Sequence, residues 1–98
     1  MIRRLDVSSE AELDVFAALL RYERERPGLG TWFEADVNGV FARVLENPFQ
    51  FPEIEEGARR ALARHFPYGI FFIVDDDLVT VLAVLHLHQD PDTWKRGR

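Results

Sequence analysis

Apolar residues recur every three or four positions through the first half of the chain, and the period then shortens to runs of β-branched and aromatic residues in the second half. Residues 2–7 predict a short first strand. Ser9-Glu10-Ala11-Glu12 has the form of a capping box, with the serine oxygen set to accept from the Glu12 amide. Leu13, Phe16 and Leu20, flanked by Ala17 and Leu19, then form one apolar stripe of a helix that should end near Arg26, before Pro27-Gly28. Thr31-Trp32-Phe33-Glu34 repeats the capping pattern, and Phe33, Val37, Val40, Phe41 and Val44 make a second stripe, interrupted by Gly39 and stopped at Asn47-Pro48. So short a link folds the two helices into an antiparallel hairpin with both stripes inward. Residues 49–57 read as a loop in which Phe49, Phe51 and Ile54 seal the edge of the core. Residues 59–65 carry helix formers, but their alternation reads as a strand, because sheet pairing overrides propensity. Residues 70–74 and 78–85, joined by Asp75-Asp76-Asp77, predict a buried antiparallel hairpin. Residues 92–98 predict a short turn or helix carrying Trp94, with Lys95, Arg96 and Arg98 as a frayed tail.

The fold class is α+β: a helical hairpin packed on a small antiparallel sheet, in the order β-α-α-β-β-β. At 98 residues the chain, 1–98, makes one domain with one modest core. It has no cysteine, which removes disulfides, thiolate metal sites and a cysteine nucleophile. Its longest apolar runs fall well short of the ~20 residues of a membrane span, and no apolar signal segment follows the start, so a cytoplasmic protein without membrane contact is expected. Charge is uneven: residues 1–56 hold six arginines against twelve carboxylates, and residues 57–98 hold six Lys+Arg against five aspartates. With a net charge of −5, strong direct binding to nucleic acid is not expected.

Arg59, Arg60 and Arg64 fall on one predicted strand, where Arg60 and Arg64 share a face. They form either a basic strip for phosphate or an acidic protein surface, or a solvated face that balances the acidic helices. His86, His88 and Asp90 share a face if the last strand continues that far, and His-x-His is a metal-binding spacing. Asp75-Asp76-Asp77 lacks the glycine and distal glutamate of a calcium loop and reads as a turn. Pro27-Gly28-Leu29-Gly30 lacks the lysine of a phosphate loop. Ser8, Ser9 and Thr31 read as caps, and Asp14, Glu23 and Glu34 as helix-surface charges. Tyr22, Leu29 and Trp32 fall near the tip of the helical hairpin, where a chain this small has little left to cover them.

Several of these pieces, taken in order, resemble one known group. A basic segment runs into Phe66-Pro67-Tyr68, a hairpin follows, and Val81-Leu82-Ala83-Val84-Leu85-His86 leads to Asp90-Pro91; upstream stand Arg26-Pro27-Gly28-Leu29-Gly30, Glu46-Asn47-Pro48 and Phe51-Pro52. Together they span about residues 11–94 and resemble the ParE/RelE superfamily of toxins from bacterial type II toxin–antitoxin systems, the ParE-like branch in particular. The resemblance implies a toxin that binds and inhibits DNA gyrase and is neutralised by a small DNA-binding antitoxin whose tail folds on contact. It implies no cofactor and a protein inhibitor rather than a ribonuclease. The RelE-like alternative cuts messenger RNA on the ribosome with basic and aromatic residues, for which Arg60, Arg64 and His88 are the candidates here. The usual ParE-like ending, His-x-Arg-Arg-Asp-Pro, reads His86-Leu87-His88-Gln89-Asp90-Pro91, so both arginines are missing. Gln89 cannot replace a charge that stabilises a phosphorane, which weakens the nuclease reading. The resemblance already accounts for His86 and Asp90, so no metal is expected at His86, His88 and Asp90. A small metal-binding protein using those three residues and a non-toxic interaction module are the readings of another class. The expected partner contacts are Tyr22, Leu29, Trp32, Arg59, Arg60, Arg64 and Trp94.

Overall fold

The computed structural model describes residues 3–95; the expectations for Ile2, Arg96 and Arg98 lie outside them. The chain runs β1 (Arg4–Val7), α1 (Ser9–Glu25), α2 (Leu29–Glu46), β2 (Glu53–Glu55), β3 (Ala58–Leu62), β4 (Tyr68–Asp75) and β5 (Leu78–His86), with 3-10 turns at Pro48–Gln50 and Pro91–Lys95. The expected order of elements is present, with two additions. β1 pairs in parallel with β5, so the sheet is mixed, and the predicted loop at residues 49–57 contains β2 as an edge strand. Strand order across the sheet is β1-β5-β4-β3-β2. β2 escaped the sequence pattern because all three of its residues are exposed, leaving no alternation to read. Its turn into β3 uses Glu56 at φ 51° and Gly57 at φ 82°, the positive angles a two-residue hairpin loop favours.

The helices pack on one face of the sheet. Phe33, Val37, Val40 and Val44 of α2 meet Ile70, Phe72, Val79, Val81 and Val84. α1 contributes Ala11 and Ala18 fully, and Val15, Leu19 and Tyr22 in part. A second, smaller core lies on the opposite face, where Ala58, Phe71, Ala83 and Leu85 are covered by Trp94. The Trp94 and Phe71 rings stack at 6.3 Å and 8° between planes. Lys95, expected in a frayed tail, instead bonds Glu55 at 2.8 Å and ties the last turn to β2.

Polar side chains on the helices hold the irregular backbone. β5 bulges at Leu82: Phe71 faces Ala83 while Phe72 faces Val81. β1 ends opposite Val81, and α1 takes over from it. The Ser8 hydroxyl donates to the Leu82 carbonyl at 3.2 Å, and the Val84 N–H donates to Asp14 at 2.9 Å. Ser8, not Ser9, is also the N-cap, accepting from the Ala11 amide at 3.1 Å. Helix α2 begins at Leu29, ahead of the Thr31 cap that the sequence suggested, and Glu23 performs the capping by accepting from the amides of Gly28 at 2.9 Å and Gly30 at 3.0 Å. Asp14 and Glu23 are thus structural acceptors rather than free surface charges. Gly30 sits where a Cβ would come within 2.6 Å of the Leu19 carbonyl, which lets the helices close on each other. Buried Asp36, which no periodicity in the sequence marks out, accepts from the amides of Arg64 at 3.2 Å, His65 at 2.8 Å and Phe66 at 3.0 Å and so shapes the β3–β4 connection.

Asp36→Ala removes the acceptor of three amides and should lower unfolding free energy by about 2 kcal/mol in a urea titration, with Asp36→Asn losing less. Tyr68 is 2% exposed, and burial pushes its phenol up to about 12, against the opposing pull of Arg21, which donates to its hydroxyl. A raised tyrosine pKa favours the neutral phenol in the fold, so its contribution is intact below about pH 10 and is lost as pH rises towards about 12. Tyr68→Phe should therefore flatten the fall in stability over that alkaline window, read from melts at stepped pH.

Candidate partner-binding surface

Helix α1 carries two apolar stripes, and the fold uses the one the sequence did not favour. Leu13, Phe16 and Leu20 fit helical spacing well, yet they are 68%, 59% and 36% exposed. The stripe that faces the sheet is Ala11, Val15, Ala18, Leu19 and Tyr22. Two of these are alanines, and small side chains let the helix approach β5 closely enough for Ser8 and Asp14 to reach the bulge. Hydrophobicity alone picks the larger residues and so picks the wrong face.

Leu13 and Phe16 of the displaced stripe line an open groove of about 640 Å³ between the helices and β1, bounded also by Val7, Val15, Leu19 and Phe41. Glu12 and Glu34 stand on its rim. Exposed apolar side chains gathered along a groove with charges at the edge are what an amphipathic helix requires of its receptor.

The residues singled out from the sequence spread over three places. Trp32, at the tip of the hairpin, is 48% exposed and leans on Phe66 at 5.3 Å and His65 at 5.7 Å. Tyr22 and Leu29 are part of the core margin, with Tyr22 edge-on to Phe66 at 4.9 Å. Trp94 is 1% exposed, which corrects its placement among surface contacts: its role is to cover the outer sheet face. Arg59 is spent internally, donating to the Phe51 carbonyl at 2.7 Å and lying over the Phe49 ring at 5.2 Å, so it clamps the segment before β2.

Arg60 and Arg64 do not share a strand face, because β3 stops at Leu62. Arg60 lies on the outer face beside Phe71, Leu85 and His86, whereas Arg64 lies in the β3–β4 connection next to Trp32 and Arg43. β5 likewise stops at His86, and His88 is in the turn beyond it. The His88 amide donates to Nδ1 of His86 at 3.0 Å, which occupies that nitrogen, and Asp90 accepts from the Asp92 amide at 2.9 Å as a cap of the last turn. Among the described residues no three histidines or carboxylates are gathered as a metal site requires.

A helical hairpin laid on a mixed five-stranded sheet, with short β-hairpins at the C-terminal side, is the ParE/RelE type of toxin fold. The toxin ParE2 of two Mycobacterium tuberculosis strains is 28% identical to this chain over 93 residues, 94% of this chain and 89% of that protein. Among solved structures, the chromosomal ParDE toxin–antitoxin system from P. aeruginosa matches with TM-score 0.77 at 17% identity, covering 87% of this chain and 96% of that one. The RelBE2 toxin–antitoxin complex from Mycobacterium tuberculosis matches with TM-score 0.58 at 21% identity, covering 88% and 99%. No family model matches the chain. The fold is thus that of these toxin structures, and the sequence is similar to ParE2 along nearly its whole length.

Replacing Leu13 or Phe16 with serine should leave stability within about 0.5 kcal/mol, as expected for exposed positions, whereas Val37→Ser in the same hairpin should cost several times as much. Equal losses at all three positions in chemical melts would return Leu13 and Phe16 to the core.

Proposed function

We propose that this chain is the toxin of a type II toxin–antitoxin pair of the ParE kind, that it acts by binding DNA gyrase rather than by cutting RNA, and that a cognate antitoxin silences it through the groove beside α1. The observation that carries the choice of mechanism is the dispersal of Arg60, Arg64 and His88. Cleaving a phosphodiester with these side chains needs a cation and an acid/base pair around one phosphate. Here the two arginines lie in different places, one on the outer sheet face and one beside α2.

The toxin reading draws on the likeness to ParE2, which runs along nearly the whole chain. The antitoxin reading draws on the groove. An apolar helix face set on Leu13 and Phe16 would cover large side chains that the fold leaves in water, and lysine or arginine flanking it would meet Glu12 and Glu34. A tail that is disordered alone and folds on contact suits such a surface. No helix among the described residues is long and apolar enough to cross a membrane, in keeping with action in the cytoplasm on a cytoplasmic target.

Expression of the chain alone should arrest growth with a DNA-damage response, and the purified protein should inhibit supercoiling by gyrase while messenger RNA persists. Rapid loss of messenger RNA with normal supercoiling would replace this mechanism by the ribonuclease one. Normal growth with folded protein present would remove toxicity altogether. Phe16→Glu should abolish co-purification with a co-expressed cognate antitoxin without unfolding the toxin; undiminished capture would move the antitoxin to another surface.

A further inference from the structure

The second large concavity of the molecule lies at the other side of the hairpin and differs in chemistry from the groove. Trp32, Asp36, Gly39 and Arg43 follow one another at helical spacing along α2, facing Arg64 and His65 of the β3–β4 connection across a trough of about 320 Å³. That volume lies at the lower end of the range of small-ligand sites, about 300–1,000 Å³. Gly39 leaves the floor open, since a Cβ built there would have nothing within 4 Å. Trp32 and Arg43 stand at opposite ends, about 16 Å apart along the helix axis.

The trough is cationic in a protein whose net charge is −5. Arg43 and Arg64 line it, and His65 adjoins the indole at 5.7 Å. Asp36 also lines it, but its carboxylate is engaged by three backbone amides. Neither Arg64 nor His65 forms an ion pair among the described residues. A half-exposed indole and two arginines lining one trough, of which Arg43 also donates to the Leu62 carbonyl at 3.3 Å, are complementary to a planar ring joined to a phosphate, since aromatic faces stack on bases and arginine matches phosphate geometry.

We infer that this trough binds a nucleoside monophosphate unit, with the base on Trp32 and the phosphate between Arg43 and Arg64. A free nucleotide and the end of a single strand present the same unit. The acidic helices favour the free nucleotide, because a longer strand would lay further phosphates over their carboxylates. The site is separate from the antitoxin groove and from the gyrase reading, and its test does not depend on either.

Titration of the full chain with adenosine 5′-monophosphate should quench Trp32 fluorescence saturably, with Trp32→Phe supplying the background of buried Trp94. Adenosine alone and inorganic phosphate alone should each bind about tenfold or more weakly. Arg64→Ala should weaken nucleotide binding about tenfold. Gly39→Leu should block the floor while leaving the thermal midpoint equal or higher, since leucine is the better helix former. Calorimetry gives the same constants without the fluorophore. A short single-stranded oligonucleotide binding as tightly as the mononucleotide would name the strand end as the source, and weaker binding would name the free nucleotide. No saturable binding at millimolar nucleotide, or binding that neither Arg64→Ala nor Gly39→Leu changes, overturns the inference. Inorganic phosphate binding as tightly as the nucleotide would mark an adventitious ion only and also overturn it.

Discussion

The bulge at Leu82 and the two side chains that hold it set the arrangement of the rest. A strand's side chains alternate strictly between faces, so one extra residue reverses which of the following positions point inward. Val79 and Val81 face the helices before the bulge, and Val84 does so after it, while Ala83 and Leu85 turn to the outer face. His86 then lies beside Tyr68, with ring centroids 5.2 Å apart. Backbone groups freed by the bulge need partners, and Ser8 and Asp14 provide them from the start of α1. The same two residues therefore cap the helix, close the sheet and fix the distance between them.

That distance decides which side of α1 is buried. Close approach favours alanine over leucine or phenylalanine at the contact, so Ala11 and Ala18 go inward and Leu13 and Phe16 stay outside. A chain of this size cannot cover both stripes of one helix with its own residues. The exposed stripe is a consequence of packing the sheet correctly, and it is also the feature most plainly suited to a partner.

Two other acidic side chains act as Asp14 does. Glu23 caps α2 across the hairpin, and Asp36 gathers three amides of the β3–β4 connection. Asp36 in this way holds Arg64 and His65 opposite α2, and the trough between them exists because that connection is pinned rather than because any strand continues. Arg60, left behind on β3, is assigned to the outer face. The separation of the two arginines, which bears on the mechanism, is thus a property of one loop.

The sequence by itself determined the order of elements, the helical hairpin, the β4–β5 hairpin and the likeness to the ParE/RelE type of fold, because long periodic runs and ordered motifs are local signals that packing does not reverse. It also located the aromatic tip at Trp32. Which α1 stripe is buried, the β2 strand, the parallel pairing of β1, the burial of Trp94 and the parting of Arg60 from Arg64 were decided only in three dimensions. Each of these depends on what a residue meets across the fold: a bulge that changes the phase of β5, an edge strand with no buried face, a ring stacked beneath a terminal turn. Periodicity reports that a helix has an apolar side. When there are two, the choice belongs to the distance between backbones, and Ser8 and Asp14 set that distance from positions that read as an unremarkable cap and a surface charge.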